Sequence, residues 1–214
     1  MRLQVLELFA GTRSIGKAFE RRGHIVTSVE IDPKFPDCIH ADAYSFLQDH
    51  GDEYDVIWAS PCCTTYSIAG IRLHRLPDEN GKWLIPKNDY AMQCDTNNRW
   101  MFNWFNEHRN MLWFIENPRG NMANMPFAQC LSDLKGCLCY CQYGVPTMKP
   151  TNIWTTHPNP KWRPMCRPGA DHHPKGSRYA FENIARGCRR SVIPEELCDH
   201  VAEITEEYFE GKIL

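Results

Sequence analysis

A cysteine at the carboxyl end of a parallel strand is placed where such folds do chemistry. Here Cys62 follows Pro61 in YDVIWASPCCTTYS, and Cys63 stands beside it. A free thiol with a pKa near about 8.5 is only a few per cent thiolate at neutral pH, so a positive dipole or a donor nearby must raise that share. The alternative is a pair of buried core cysteines, and the small polar residues around Pro61 argue against it. A second cluster, Glu116-Asn117-Pro118, closes the apolar run WFI. A carboxylate there sits in low dielectric, which raises its pKa toward use as a proton donor; the alternative is a turn or capping residue. A third cluster, LELFAGTRSIG, places Gly11 nineteen residues before Glu30. Glycine lets a ligand approach the backbone, and an acidic residue after the next strand suits ribose hydroxyls. It is not a G-x-G-x-x-G fingerprint, since Arg13 and Ser14 occupy the later positions.

These clusters need strand ends to hold them. Residues 3–9, 24–32, 54–61 and 113–118 read as strands, 14–22 and 42–50 as helices between them. That alternation predicts βαβ units, hence a Rossmann-like α/β fold: a mostly parallel sheet with helices on both faces. In such sheets ligands bind beyond the carboxyl ends of the strands. Residues 70–95, with Gly70, Pro77, Gly81 and Pro86, read as a long loop, 97–112 as a helix and 137–144 as another strand. Leu197, Val201, Ile204 and Tyr208 share one face of a closing helix over 194–209, with Pro194 suited to its first turn.

The chain has 214 residues, 43% of them apolar, enough for one sizeable core and a small appendage. It shows no repeat, no signal-peptide pattern and no run of roughly 20 apolar residues, so a cytoplasmic protein with no membrane partner is expected. Eleven cysteines without a secretory signal argue for reduced thiols rather than a disulfide framework. The net charge of -2 hides an asymmetry: Lys149 to Arg190 holds nine Lys and Arg against Asp171 and Glu182. A basic segment on an acidic body suits a polyanion; the plainer alternative is a solvated loop.

Taken together, the clusters resemble the DNA (cytosine-5) methyltransferases, over residues 5–155 and most closely the short phage-type members. ELFAG resembles the first cofactor motif, Glu30 the ribose ligand and Asp42 the aspartate that meets the adenine amino group. Ser60-Pro61-Cys62 resembles the nucleophile motif, with Tyr66-Ser67 as its trailing pair, and Glu116-Asn117 the motif whose glutamate contacts the cytosine. Tyr143-Gly144-Val145-Pro146 resembles the start of a later base-holding motif, and RRSVIPEELCDHVAEI the returning helix. The resemblance implies methyl transfer from S-adenosylmethionine to carbon 5 of a flipped cytosine in double-stranded DNA, in a bacterium or phage-infected host. It implies Cys62 and Glu116 as catalytic, with the cofactor held by Phe9, Ala10, Gly11, Thr12, Glu30, Ile31, Asp42, Ala43 and Pro61. Substrate contacts would come from Ser67, Asn117, Arg119 and Lys149.

The chain departs from the family at Arg13 and Ser14, at Cys63 where Gln is usual, and at Pro118 for valine. After Gly-Val-Pro, Thr147, Lys149 and Thr151 replace Gln-x-Arg-x-Arg. Lys149 still offers a phosphate a point charge, whereas Thr151 offers none; Arg119 or the 72–99 loop would have to rebuild the base-holding contacts. The catalytic domain reads as 1–154 plus 191–214, and 155–190 as a small basic recognition-like segment. So short a segment implies a short recognition site or a specificity partner. Cys137, Cys139 and Cys141, with Cys166, His172, His173 and Cys188, contain no C-x-x-C pair, so no metal is expected. The alternatives are pyrimidine modification of RNA or a free nucleotide, and a silent cofactor- or nucleic-acid-binding protein. Cys62 and Glu116 together weigh against silence.

Overall fold

A computed structural model describes residues 1–146, 148–167, 170 and 192–211. Six strands form one sheet in the order β2-β1-β3-β6-β8-β7. They are β1 (Gln4–Leu8), β2 (Ile25–Val29), β3 (Val56–Ala59), β6 (Leu112–Pro118), β7 (Lys135–Cys139) and β8 (Pro150–Thr155). β2, β1, β3 and β6 pair in parallel, in register through Leu6 with Thr27 and Ile57, and Trp58 with Phe114. Strands covered on both faces are mostly apolar, so VIWA and LWFI carry no charged side chain and QVLEL only one, Glu7. β8 runs antiparallel to both β6 and β7.

Helices cover both faces, as the βαβ pattern predicts. On one side α1 (Ser14–Arg21) and α5 (Glu195–Phe209) bury Ile15, Phe19, Leu197, Val201 and Ile204 against Val5, Trp58 and Phe114. On the other, α2 (Ala43–His50) and α4 (Asp89–Glu107) bury Leu47, Met101, Phe102 and Phe105 against Leu6, Ile57 and Trp113. Each such side chain contributes about 1.5–3 kcal/mol by leaving water.

Several expectations need correction. The 70–95 stretch is not a long loop. It holds a one-turn helix α3 (Ile71–His74), a hairpin of β4 (Arg75–Leu76) and β5 (Ile85–Pro86), and the first turns of α4. Helix α4 starts at Asp89, not 97, because the Asn88 side chain accepts from the Ala91 N–H and caps it. It ends at Glu107, and the chain turns before β6. β7 stops at Cys139, and Tyr140–Tyr143 form a 3-10 turn ending at Gly144, whose φ of 81° is left-handed. Cys141 therefore lies off the strand, packed with Cys139 and Cys166. Pro194 precedes the closing helix as its N-cap rather than opening its first turn. β8 carries no sequence signal of its own, since PTNIWT mixes polar and apolar residues without alternation. Thr147, His172, His173, Cys188 and most of the basic segment lie outside the described residues.

Candidate active site

The carboxyl ends of β1, β2, β3 and β6 share one edge of the sheet. After β1 the chain turns through Phe9, Gly11 and Arg13 at φ of 58°, 48° and 58°. Left-handed backbone favours glycine, so Phe9 and Arg13 are strained conformations held by their surroundings. Arg13 is fixed through its Nε, which donates to Ser28 Oγ at 3.1 Å, and by an ion pair with Glu20. This is how the turn forms without the glycines usual after Gly11.

Glu30, just past β2, closes on that turn. Its Oε2 accepts from the Gly11 N–H at 3.0 Å and its Oε1 from the Asp32 N–H at 3.1 Å. Each oxygen keeps a lone pair for a ribose hydroxyl. Beside it Ile31 is 67% exposed, a large apolar side chain left in water. Asp42 caps α2, with Oδ1 accepting from both the N–H and the hydroxyl of Ser45. Ala43 is buried against Leu47 in the core. Glu30 and Gly11 thus meet directly, while Ala43 lies in the core. Thr12 is occupied with Ser14, its Oγ1 at 3.0 Å from the serine Oγ.

Glu7 went unread as a site residue. It is buried within β1 and accepts from Ser28 Oγ at 2.8 Å and the Ile15 N–H at 3.0 Å. Burial pushes its carboxyl up to about 7, against the hydrogen bonds that favour the charge. It caps the first turn of α1 from beneath.

Cys62 is the one exposed cysteine among the described residues. Its thiol pKa is lowered because the Cys94 thiol donates to it, aided by Thr64 and by Tyr90. The sulfur stands 3.3 Å from Thr64 Oγ1 and 3.1 Å from the Tyr90 hydroxyl. Cys63 moves the opposite way: burial raises it, and the Glu116 charge adds to that. The two neighbours are therefore distinguished by environment, in favour of Cys62 as the thiolate. Tyr90 and Cys94 lie one helical turn apart on α4. Neither was visible as a site residue while that helix was read as starting at 97.

Expected reactivity follows. Iodoacetamide should modify Cys62 first, at a rate that stays level on acidification until pH approaches about 5, where the thiolate is lost. Tyr90→Phe removes a donor and should shift that profile upward. Mass mapping of the labelled residue across pH checks both; first labelling at Cys63 would reverse the assignment.

Glu116 is buried at the end of β6. Its Oε1 accepts from the Tyr140 hydroxyl at 2.9 Å, and Lys149 Nζ lies 4.0 Å away. The same ammonium sits 4.3 Å above the Tyr140 ring. Lys149 thus faces the Glu116 carboxylate; the sequence suggested a phosphate contact. Thr151 is buried on β8 and helps hold the Tyr140 hydroxyl. Tyr140 was missed because it sits in a cysteine-rich stretch read only as strand. The side-chain amide of Asn117 donates to the Pro61 carbonyl at 3.0 Å, tying the Cys62 loop to the end of β6. Its Oδ1 is buried with no protein partner among the described residues, an acceptor left over at that seam.

The loop carrying Cys62 rests on a buried polar network. Arg75, 0% exposed, donates through both terminal nitrogens to Asp95, at 2.6 and 3.1 Å. It also donates through Nε to the Thr65 carbonyl and lies 4.3 Å above the Tyr66 ring. Tyr66 in turn donates to Asp95, and Asn98 donates to the Tyr66 hydroxyl. Ser67 accepts from the Gly70 N–H, closing the turn after it. Arg119 is exposed, its backbone N–H donating to the Pro150 carbonyl. The sequence placed it beside the catalytic motifs, and it does lie just past β6, lining an open groove.

No family model matches this chain, and no curated protein matches it. Among the described residues no helix is long and apolar enough to cross a membrane. Among solved structures it aligns with the Dnmt2 methyltransferase of S. pombe at 16% identity and a TM-score of 0.47, over 72% of this chain and 49% of that one. A DNMT2 variant from Spodoptera frugiperda aligns at 20% identity and 0.45, over 79% and 56%. A SAM-dependent methyltransferase from Agrobacterium tumefaciens aligns at 14% identity and 0.42, over 73% and 56%. The chain spans about half the length of these structures.

Proposed function

We propose that this chain transfers a methyl group from S-adenosylmethionine to carbon 5 of cytosine in DNA, through a covalent bond to Cys62. One observation carries the reading: a Cys62 sulfur 3.1 Å from the Tyr90 hydroxyl, in a loop bonded through Pro61 to the Asn117 amide beside Glu116. Gly11, Glu30, Ile31 and Asp42 offer the cofactor a backbone approach, a ribose acceptor, an apolar face and a second carboxylate. The cofactor supplies an electrophilic methyl group when bound.

The chain's own residues do the rest. The Cys62 thiolate bonds to carbon 6 of the ring, and the displaced electron pair makes carbon 5 nucleophilic. Glu116 holds ring nitrogen 3, with Tyr140 and Lys149 holding Glu116 in place. Carbon 5 would take the methyl group, its bond to the cofactor's sulfonium breaking with the pair left on that sulfur. Loss of the carbon-5 proton to water would then send its pair back into the ring, break the Cys62 sulfur–carbon 6 bond and return the thiolate. A cytosine in duplex DNA must leave the stack, at a cost of a few kcal/mol. Arginines beside the site and the basic segment would offset that by meeting phosphates.

The test supplies tritiated S-adenosylmethionine with duplex DNA, RNA and dCMP as separate acceptors. Label recovered as 5-methylcytosine in DNA is the expected result. Label in RNA or dCMP alone would keep the chemistry and overturn the substrate. Cofactor binding without transfer to any acceptor would point to a silent binding protein or a required specificity partner.

A further inference from the structure

Beside the Cys62 loop lies an open groove of about 550 Å³ that the catalytic motifs do not use. Arg72, Trp83, Arg119, Asn121 and Asn124 line it, together with Ile68. Its lining carries two positive charges and no negative one. The Arg72 guanidinium lies 5.9 Å from the centre of the Trp83 ring. The Trp83 carbonyl accepts from the Asn121 side-chain amide at 2.5 Å, which fastens the β4–β5 hairpin to the turn after β6. Ile68 and Leu73 nearby stay 81% and 70% exposed, more apolar surface than a solvated loop requires.

The groove is continuous with the candidate active site. Arg119 and Gly120 follow Pro118 directly, and a Cβ at Gly120 would stand 2.6 Å from the Tyr66 carbonyl, so the groove floor touches the Cys62 loop. Arg75, at the base of the hairpin, donates to Thr65 on the other side of that loop.

We propose that this groove holds the nucleotide next to the target cytosine in an unpaired strand, its base stacked on Trp83 and its phosphate between Arg72 and Arg119. An aromatic face stacks any base, and arginines beside it neutralise the backbone, the combination that single-stranded nucleic acid requires. Paired bases do not present a free face to an indole. The proposal rests on the cytosine methyltransferase reading for what occupies the catalytic side, but the groove is tested by binding alone.

The probe is a fluorescein-labelled single-stranded decamer with one central cytosine, in DNA and RNA forms, titrated with the full chain and followed by anisotropy. Wild type should bind both forms, and more tightly than the same sequence as a duplex, which must first open around the target, at a cost, before the groove can fill. Trp83→Ala should weaken binding about tenfold, the worth of one base–aromatic stack, and Trp83→Phe should restore most of it. Arg72→Ala and Arg119→Ala should each lower the salt slope by about one. An unchanged melting temperature in each variant separates loss of the groove from loss of the fold. Equal binding by wild type and Trp83→Ala, or preference for duplex, overturns the proposal even if methyl transfer is found. Binding that depends on Trp83, with no transfer to any acceptor, leaves the groove standing and removes the catalytic reading.

Discussion

Cys62→Ala is expected to lower methyl transfer by more than about 10³-fold while cofactor binding stays as in wild type, because the covalent route disappears and no neighbour takes it over. Cys63→Ala is the matched control. Its thiol is held protonated by burial and by the Glu116 charge, so its loss should leave most of the activity. Single-turnover transfer from labelled S-adenosylmethionine reads both. Loss in the Cys63 variant with retention in the Cys62 variant would move the nucleophile by one residue. Loss in both would mean that Cys63 shapes the loop instead of idling beside it. The asymmetry arises from α4: Cys94 and Tyr90 donate toward Cys62.

Asp95→Ala should be the most destabilising single change at the site. It strands the fully buried Arg75 guanidinium, and an uncompensated buried charge costs about 3–5 kcal/mol. For a chain of this size the melting temperature should fall by roughly 10 °C. Removing both charges, as Arg75→Met with Asp95→Leu, should recover much of that loss, since the desolvation penalty goes with them. Calorimetry of the two singles and the double gives the coupling. A single variant that melts like wild type would show that water already reaches the pair. Recovery of stability in the double variant without recovery of activity would separate two tasks of Arg75, since the Nε bond to Thr65 that places the Cys62 loop is lost with it.

What was legible in the sequence follows from how local the cause was. β1, β3 and β6 were readable because strands covered on both faces are mostly apolar. Their ends announced the site, since Pro61 and Asn117 interrupt those runs. Helix α4 was misplaced because its first two turns, DYAMQCDT, look like loop composition. One of its charges is in fact spent inside, Asp95 on the buried Arg75. A capping asparagine followed by an i, i+4 pair was the available signal. β8 and the setting of Lys149 could not be read, because both depend on pairing across the sheet. Glu7 was legible as a motif letter but not as a buried acid, since nothing local reveals that α1 lands on it.

The place of β8 has a bearing on how the chain is made. β6 emerges from synthesis more than thirty residues before the strand that covers its outer edge. Until β8 arrives, LWFIENP is an open edge of a parallel sheet, long, apolar and ready to pair with another chain. The carboxylate it carries also waits, since Tyr140 and Lys149 come only in the stretch that leads into β8. Aggregation during expression, with slow cooperative completion of this half of the sheet, is therefore inherent in the strand order, and lowering the temperature of synthesis should raise the soluble yield.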